Sequence, residues 1–245
     1  MIDRVDGDEL RAATGDDPLV RAVVLGGRIT GPAWSGFGAY MWRASHRHEP
    51  SLTGIGPPDG AARLLEQVIR VDREIRHVSL PKGWIVHVTP GLVERRADWD
   101  WFWTEMPPEP RPHSGEAKWL KSADEADVRD LLEKAMPDAV AWPGDARVRR
   151  WAGIRDTEQR LVACAADTSL QPAVGHLSSV ATAADQRRRG YAAALMAWVT
   201  ARFWDEGVEL VTLGMYAVNV AARRLYERLG FTRAHEFTAA GIAAA

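Results

Sequence analysis

The sequence predicts an α+β protein in which strands feed helices through tight, glycine-bearing turns. Three stretches carry that prediction. Ala173 to Thr182 reads as a strand, Gln186-Arg187-Arg188-Arg189-Gly190 as a turn, and Tyr191 to Asp205 as an amphipathic helix with Leu195, Val199 and Phe203 at helical spacing. Arg147 to Arg155 and Gln159 to Ala166 alternate as two strands about a tight turn at Asp156-Thr157-Glu158. Val208 to Leu213 reads as a further strand before a last helix. Asn219 is placed to cap that helix, and Ala222, Leu225, Tyr226 and Leu229 form its inner stripe.

The remaining elements follow in order. Arg21 to Ile29 and Phe37 to Trp42 alternate like strands around Gly31, Gly36 and Gly38. Gly54-Ile55-Gly56-Pro57-Pro58-Asp59-Gly60 then leads into a helix from Ala61 to Arg73, a second strand, glycine turn and helix. Trp99, Trp101 and Trp103 alternate and would line one face of a strand, either packing against a second domain or walling a substrate pocket. Met106 to Gly115 holds four prolines within six residues and reads as a linker. Past it, Lys118 to Lys121 is an opening strand, and Ser122-Ala123-Asp124-Glu125 is a capping box for a helix running to about Met136. Thr232 to Phe237 returns as a strand, and Ala239 to Ala245 reads as a frayed tail. The expected organisation is an N-terminal α/β domain over 1–105, a linker over 106–115 and a catalytic domain over 116–240.

Composition narrows the function classes. A formal net charge of −2 argues against bulk nucleic-acid binding. The single cysteine, Cys164, lies in an apolar run, so no internal disulfide framework or thiolate cluster can form, as suits a reducing cytoplasm. There is no signal-peptide pattern and no run of about 18 apolar residues, so a soluble cytoplasmic protein without membrane partners is expected. His46-Arg47-His48-Glu49 has metal-like residue types but no further ligand at a recognisable spacing, and no metal is expected there.

The turn at Gln186 to Ala192 is a physical recipe for an anion site. The first-turn amides of a helix lack intrahelical partners, and the helix dipole adds partial positive charge. Gly190 and the small Ala192 let a phosphate approach the backbone, while Arg187, Arg188 and Arg189 add fixed charge. A pyrophosphate-bearing cofactor is the natural occupant. A Rossmann loop is excluded because Ala192 replaces its third glycine and the following strand offers only Glu209 beside aliphatic residues.

The spacing Arg187-x-x-Gly190-x-Ala192 resembles the acyl-CoA pyrophosphate loop of the GNAT superfamily of N-acetyltransferases. A second block, Asn219-x-x-Ala222-x-x-Leu225-Tyr226-Glu227-x-Leu229-Gly230-Phe231, is similar to the segment that follows in that family, in the right order. The resemblance covers roughly the last half of the chain. It implies an α+β fold with a mixed central sheet flanked by helices, and acyl transfer from acetyl-CoA to a primary amine of a small molecule. A different acyl donor, a protein amine as acceptor, or a non-catalytic acyl-CoA-binding module are the alternatives. Tandem copies occur in this family, so the N-terminal half is read either as a degenerate copy or as an unrelated extension. Pro57 and Pro58 remove two amide donors from its turn, which should therefore not bind CoA. A homodimer is left open.

The same resemblance implies the site residues. Main-chain groups of Val180, Ala181 and Thr182 would contact the pantetheine arm, with the Val180 amide as oxyanion donor. Arg187, Arg188, Arg189, Gly190, Tyr191, Ala192 and Ala193 would wrap the pyrophosphate, and Asn219 joins the cofactor contacts. Tyr226 matches the family tyrosine that protonates the departing thiolate, and a phenol of pKa about 10 can protonate a thiolate of about 8.5. Spacing alone leaves Tyr226 as a core aromatic. His176 lies on the strand feeding the loop, where several family members carry a glutamate or histidine base. A hydrogen-bonded filler histidine is the other reading. Val174, His176, Ser178, Val180 and Thr182 are expected on one face of their strand, with Ser178 able to orient a water.

Overall fold

Two helices, each bridging a parallel pair of strands, organise the chain. The computed structural model describes residues 2–46 and 49–243. In chain order its first elements are β1 (Asp3–Val5), α1 (Gly7–Ala13), α2 (Pro18–Leu25), β2 (Ala33–Gly36), β3 (Ala39–His46), β4 (Glu49–Ile55), α3 (Pro58–Val71), β5 (His77–Pro81) and β6 (Val93–Thr104). There follow β7 (Lys118–Trp119), α4 (Glu125–Ala135), β8 (Arg150–Arg155), β9 (Leu161–Asp167), β10 (Val174–Thr182), α5 (Tyr191–Asp205), β11 (Leu210–Tyr216), α6 (Val220–Arg228) and β12 (Thr232–Ile242). The chain divides into two compact units. One holds Met1–Trp101, Met215–Arg223 and Arg233–Ala245, and the other holds Phe102–Gly214 and Arg224–Thr232. The fold is α+β, as the sequence predicts.

In the first unit the strands run in the order β1-β2-β3-β4-β5-β12-β6. The steps from β1 to β4 are antiparallel, β4 and β5 are parallel across α3, and β12 closes antiparallel on β5. Pro58 starts α3 at a position where its missing amide costs nothing, and Ala61, Leu64, Leu65 and Val68 make its buried stripe. That stripe packs on Trp34, Met41, Leu52, Val78 and Leu80, each fully buried leucine or valine contributing roughly 1.5–3 kcal/mol. On β6, Trp99 stacks on Phe237 with ring centroids 4.6 Å apart and donates from Nε1 to Ser79 Oγ. Asp100, on the opposite face, is fully buried and is held by Arg223 at 2.8 Å.

The second unit repeats the scheme. β7, β8, β9 and β10 are successive antiparallel neighbours, and β10 and β11 are parallel across α5. Val128, Leu131 and Leu132 of α4 pack on Trp151, Cys164, Ala166 and Ala181. Cys164 is fully buried, which pushes its thiol up to about 12 and makes it a core residue. The proline-rich stretch belongs to this unit and is tied to it at three points. Arg111 Nη2 donates to the Arg228 carbonyl, His113 packs on the Tyr191 ring, and Ser114 Oγ donates to the Ala194 carbonyl.

Several sequence expectations need correction. Arg21 to Ile29 is not a strand, because Asp17 and Pro18 impose a helix start. The Asp17 carboxylate accepts from the Leu19 and Val20 amides, and this local cap overrides the valine-rich strand pattern. The cap before α4 lies one residue earlier than the serine suggested, with the Lys121 amide donating to Asp124 Oδ2 at 2.8 Å. The terminal alanines are not frayed up to Ile242. Ala239, Ala240 and Gly241 pair with Ser79, Val78 and His77, and Ala240 is buried in the first core. The His46-Arg47-His48-Glu49 reading falls largely outside the described residues, which exclude Arg47, His48 and the side chain of His46. Glu49 pairs with His77.

Gly175 shows how closely α5 lies on β10. A Cβ there would sit 2.5 Å from Phe203 Cδ2, well inside contact distance. Gly175→Ala should therefore lower the unfolding free energy by about 1–3 kcal/mol in urea titrations, whereas a neutral substitution would show that the helix can lift away.

Candidate active site

The site begins where β10 stops being regular. Ser178 pairs with Ala166 and Ala181 pairs with Cys164, so three steps on β10 match two on β9. This is a β-bulge. At its centre Ser179 takes φ 49, the left-handed region that non-glycine residues seldom occupy. Ala166 and Cys164 share a face of β9, so Ser178 and Ala181 share a face of β10. Val180 and Thr182 consequently turn to the other face, which corrects the expectation of one unbroken row from Val174 to Thr182. The parallel pairing with β11 also ends early, at Leu177 and Leu213, although both strands continue. The main chain of Val180 to Thr182 is thus left without that parallel partner, as a hydrogen-bonding edge.

The turn that follows joins arginines to a helix start. Arg187 folds back, with Nη2 on the Ala135 carbonyl at 3.2 Å and Nε on the Thr182 carbonyl at 3.4 Å. Arg188 and Gly190 both take positive φ, at 65 and 92. Gly190 opens α5 with no side-chain cap, and the first bond into the helix runs from the Ala194 amide to the Gly190 carbonyl. The amides of Tyr191, Ala192 and Ala193 are therefore unclaimed at the positive end of a fifteen-residue helix. Arg188 and Arg189 are exposed and form no ion pair among the described residues, while nearby Asp185 is already engaged by Arg160 at 2.7 Å.

His176 lies four residues before Val180 on β10, half-buried. Its Nδ1 is 2.7 Å from Thr212 Oγ1, and that hydroxyl donates to the Gly175 carbonyl at 3.2 Å. The contact with Thr212 fixes the orientation of the imidazole ring on β10. The strand is anchored at the same point, because the His176 amide donates to Ser169 Oγ, itself bonded to buried Asp167. Ser178 Oγ pairs with Thr168 Oγ1 at 2.8 Å.

Tyr226, in the second unit, is only 5% exposed, its ring against Phe102 and Phe231 with centroids 6.1 Å away in each case. Burial pushes its phenol well above the ordinary value, so the ring carries its proton throughout the neutral range. Asn219 stands at the start of α6, where Oδ1 accepts from the Ala222 amide at 3.1 Å. Asn219 lies in the first unit and the other singled-out residues in the second. Sequence reasoning missed Ser179 and Thr212. A serine and a threonine inside apolar strands give no spacing signal, and their role comes from partners distant in the chain.

This arrangement defines an acyltransferase of the GNAT class. The sequence profile of the Acetyltransferase (GNAT) family matches residues 99–231, more than half of the chain, and the chain belongs to that family. Solved structures share the fold along the whole chain. A GNAT-family protein from Novosphingobium aromaticivorans is 24% identical over 94% of this chain and 98% of its own, with a TM-score of 0.59. GCN5-related N-acetyltransferases from Sphaerobacter thermophilus and Kribbella flavida are 16% and 17% identical. Their TM-scores are 0.60 and 0.55, over 100% and 96% of this chain and 96% and 95% of theirs. Among curated proteins no match was found.

Burial of Tyr226 has a measurable consequence. Above pH of about 10 the unfolded chain loses a phenolic proton that the folded chain keeps, so folding stability falls as pH rises. Urea midpoints measured at pH 9 and 10.5 should therefore drop more for the wild type than for Tyr226→Phe. Equal drops would mean that the phenol titrates freely in the folded protein.

Proposed function

We propose that the protein transfers an acetyl group from acetyl-CoA to a primary amine of a small molecule. The observation that carries this reading is the joining of a bulged, partly unpaired strand end to a helix start whose three first amides have no acceptor. Acetyl-CoA would supply the activated thioester, and the chain's own groups fit its parts. The amides of Gly190 to Ala193, with Arg187, Arg188 and Arg189 around them, suit a pyrophosphate. The strand edge at Val180, Ala181 and Thr182 suits an arm that pairs like a strand, and the Val180 amide would face the negative charge developing on the acyl oxygen. Asn219 joins the cofactor contacts on the strength of its place in the family segment.

Proton movement falls to two side chains. His176, its ring oriented by Thr212, would accept the ammonium proton, directly or through a water held at Ser178. Tyr226, kept protonated by burial, would hand its proton to the departing thiolate.

The first unit is read as a degenerate copy of the second. Its strands follow the same antiparallel and parallel sequence around α3. Its corresponding turn has Pro57 and Pro58 where amides are needed. A Cβ on Gly60 would lie 2.3 Å from the Phe37 carbonyl oxygen, so backbone already occupies that space. The β3–β4 register is continuous from Tyr40 and Ile55 to His46 and Glu49, without a bulge. One acyl-CoA site per chain follows, in the second unit, which holds most of the expected catalytic stretch 116–240. No helix among the described residues is long and apolar enough to cross a membrane, and a cytoplasmic setting is the one we assign.

The test is CoASH release from acetyl-CoA with a panel of small primary amines beside lysine peptides. Tyr226→Phe should lower kcat roughly 100-fold with acetyl-CoA affinity nearly unchanged, and His176→Ala should abolish the acidic limb of the kcat/KM profile. Turnover with peptides alone would move the acceptor to proteins. Wild-type rates in Tyr226→Phe at saturating substrates, with chemistry rate-limiting, would remove its catalytic role.

A further inference from the structure

The bulge in β10 is held by a side chain, and that side chain is the inference. Ser179 is 3% exposed and its hydroxyl makes two hydrogen bonds to one residue. Oγ accepts from the Ala141 amide at 3.0 Å and donates to the Ala141 carbonyl at 2.9 Å. It thereby replaces, on one side, the pair of bonds that a neighbouring strand would make.

Ala141 is a firm anchor. It is buried, and its segment is fixed on both sides. Arg147 Nη2 donates to the Val140 carbonyl, Arg129 Nη2 to the Pro143 carbonyl and Trp142 Nε1 to the Ala139 carbonyl, each at 2.9 Å. A left-handed residue that is not glycine persists only where its surroundings over-determine it. Here the two bonds to Ala141 do so. Without them Ser179 would be free to return to ordinary strand geometry, and one such change inverts the faces of every residue after it. Val180 would then turn its amide elsewhere.

We propose that Ser179 is a positioning residue for acyl transfer, its hydroxyl locked on Ala141 so that the Val180 amide is held toward the acyl carbonyl. This rests on the acyl-CoA reading above. It adds a residue that touches neither the cofactor nor the amine, yet sets the geometry in which the carbonyl is polarised. The pyrophosphate turn lies beyond the bulge and makes no bond to Ser179, so CoA affinity and turnover should separate.

Ser179→Ala and Ser179→Gly make the test, since glycine accepts positive φ without the lock. In Ser179→Ala, kcat should fall at least tenfold while CoA binds within about threefold of wild type, as expected for a misdirected oxyanion donor. Ser179→Gly should recover part of that loss. Hydrogen exchange at the Ala141 amide, read without any ligand, should quicken in both variants. Wild-type kcat in Ser179→Ala, or an equal loss of CoA affinity and kcat, overturns the proposal. If the alanine variant does not fold, wild-type kcat in Ser179→Gly with fast exchange at Ala141 overturns it equally. A wild-type protein that binds no CoA at all would instead defeat the reading underneath.

Discussion

Everything at the site depends on β10 being interrupted. A strand that stayed regular from Val174 to Thr182 would continue its pairing with β11 past Leu177 and spend its main-chain groups inside the sheet. The bulge at Ser179 and the early end of that pairing release them instead. Such a break is costly in a buried sheet, since unpaired amides and carbonyls lose their solvent without gaining partners. The second unit bears it because β9 still pairs on the other side and Ala141 takes up the Ser179 hydroxyl. The same economy shapes the helix start. Gly190 lets the chain enter α5 without a side-chain cap, and the amides that a serine or aspartate would have satisfied remain for a ligand.

The first unit shows what the same strand order looks like when those features are absent. Its β4–α3 turn is closed by proline and by the backbone of Phe37, and its β3–β4 ladder is continuous. Its β4–β5 pairing also stops early, at Thr53 and Ser79, so an unpaired strand end alone does not distinguish the two units. The comparison matters because the shared topology of the two units cannot by itself account for activity. What separates them is a few residues at one turn and one strand.

Much of the second unit was legible in the chain. The helix from Tyr191 to Asp205 begins and ends where its glycine and apolar spacing place it, and the strands before and after it were recognisable within two or three residues. The turn between β10 and α5 was legible because its make-up is local, arginines and a glycine at a helix start. The bulge was not. It arises from Ser179 meeting Ala141, 38 residues away, and the alternation rule that serves regular strands placed Val180 and Thr182 on the wrong face. The partner of the His176 ring was hidden for the same reason, since Thr212 lies 36 residues off in another strand. In the N-terminal region the valines near Arg21 suggested a strand, and only the Asp17 cap explains the helix. The terminal alanines look like a tail in composition, yet β5 requires an antiparallel neighbour and Ala240 fills a place in the core.

The most direct test of the account is a calorimetric titration of the whole protein with acetyl-CoA, beside CoA and a longer acyl-CoA. A single saturable site per chain, weakened when Arg188 and Arg189 are both replaced by alanine, is the predicted result. Two sites per chain would contradict the degenerate first unit, and no binding at millimolar ligand would contradict the central claim that the β10–α5 turn holds an acyl-CoA.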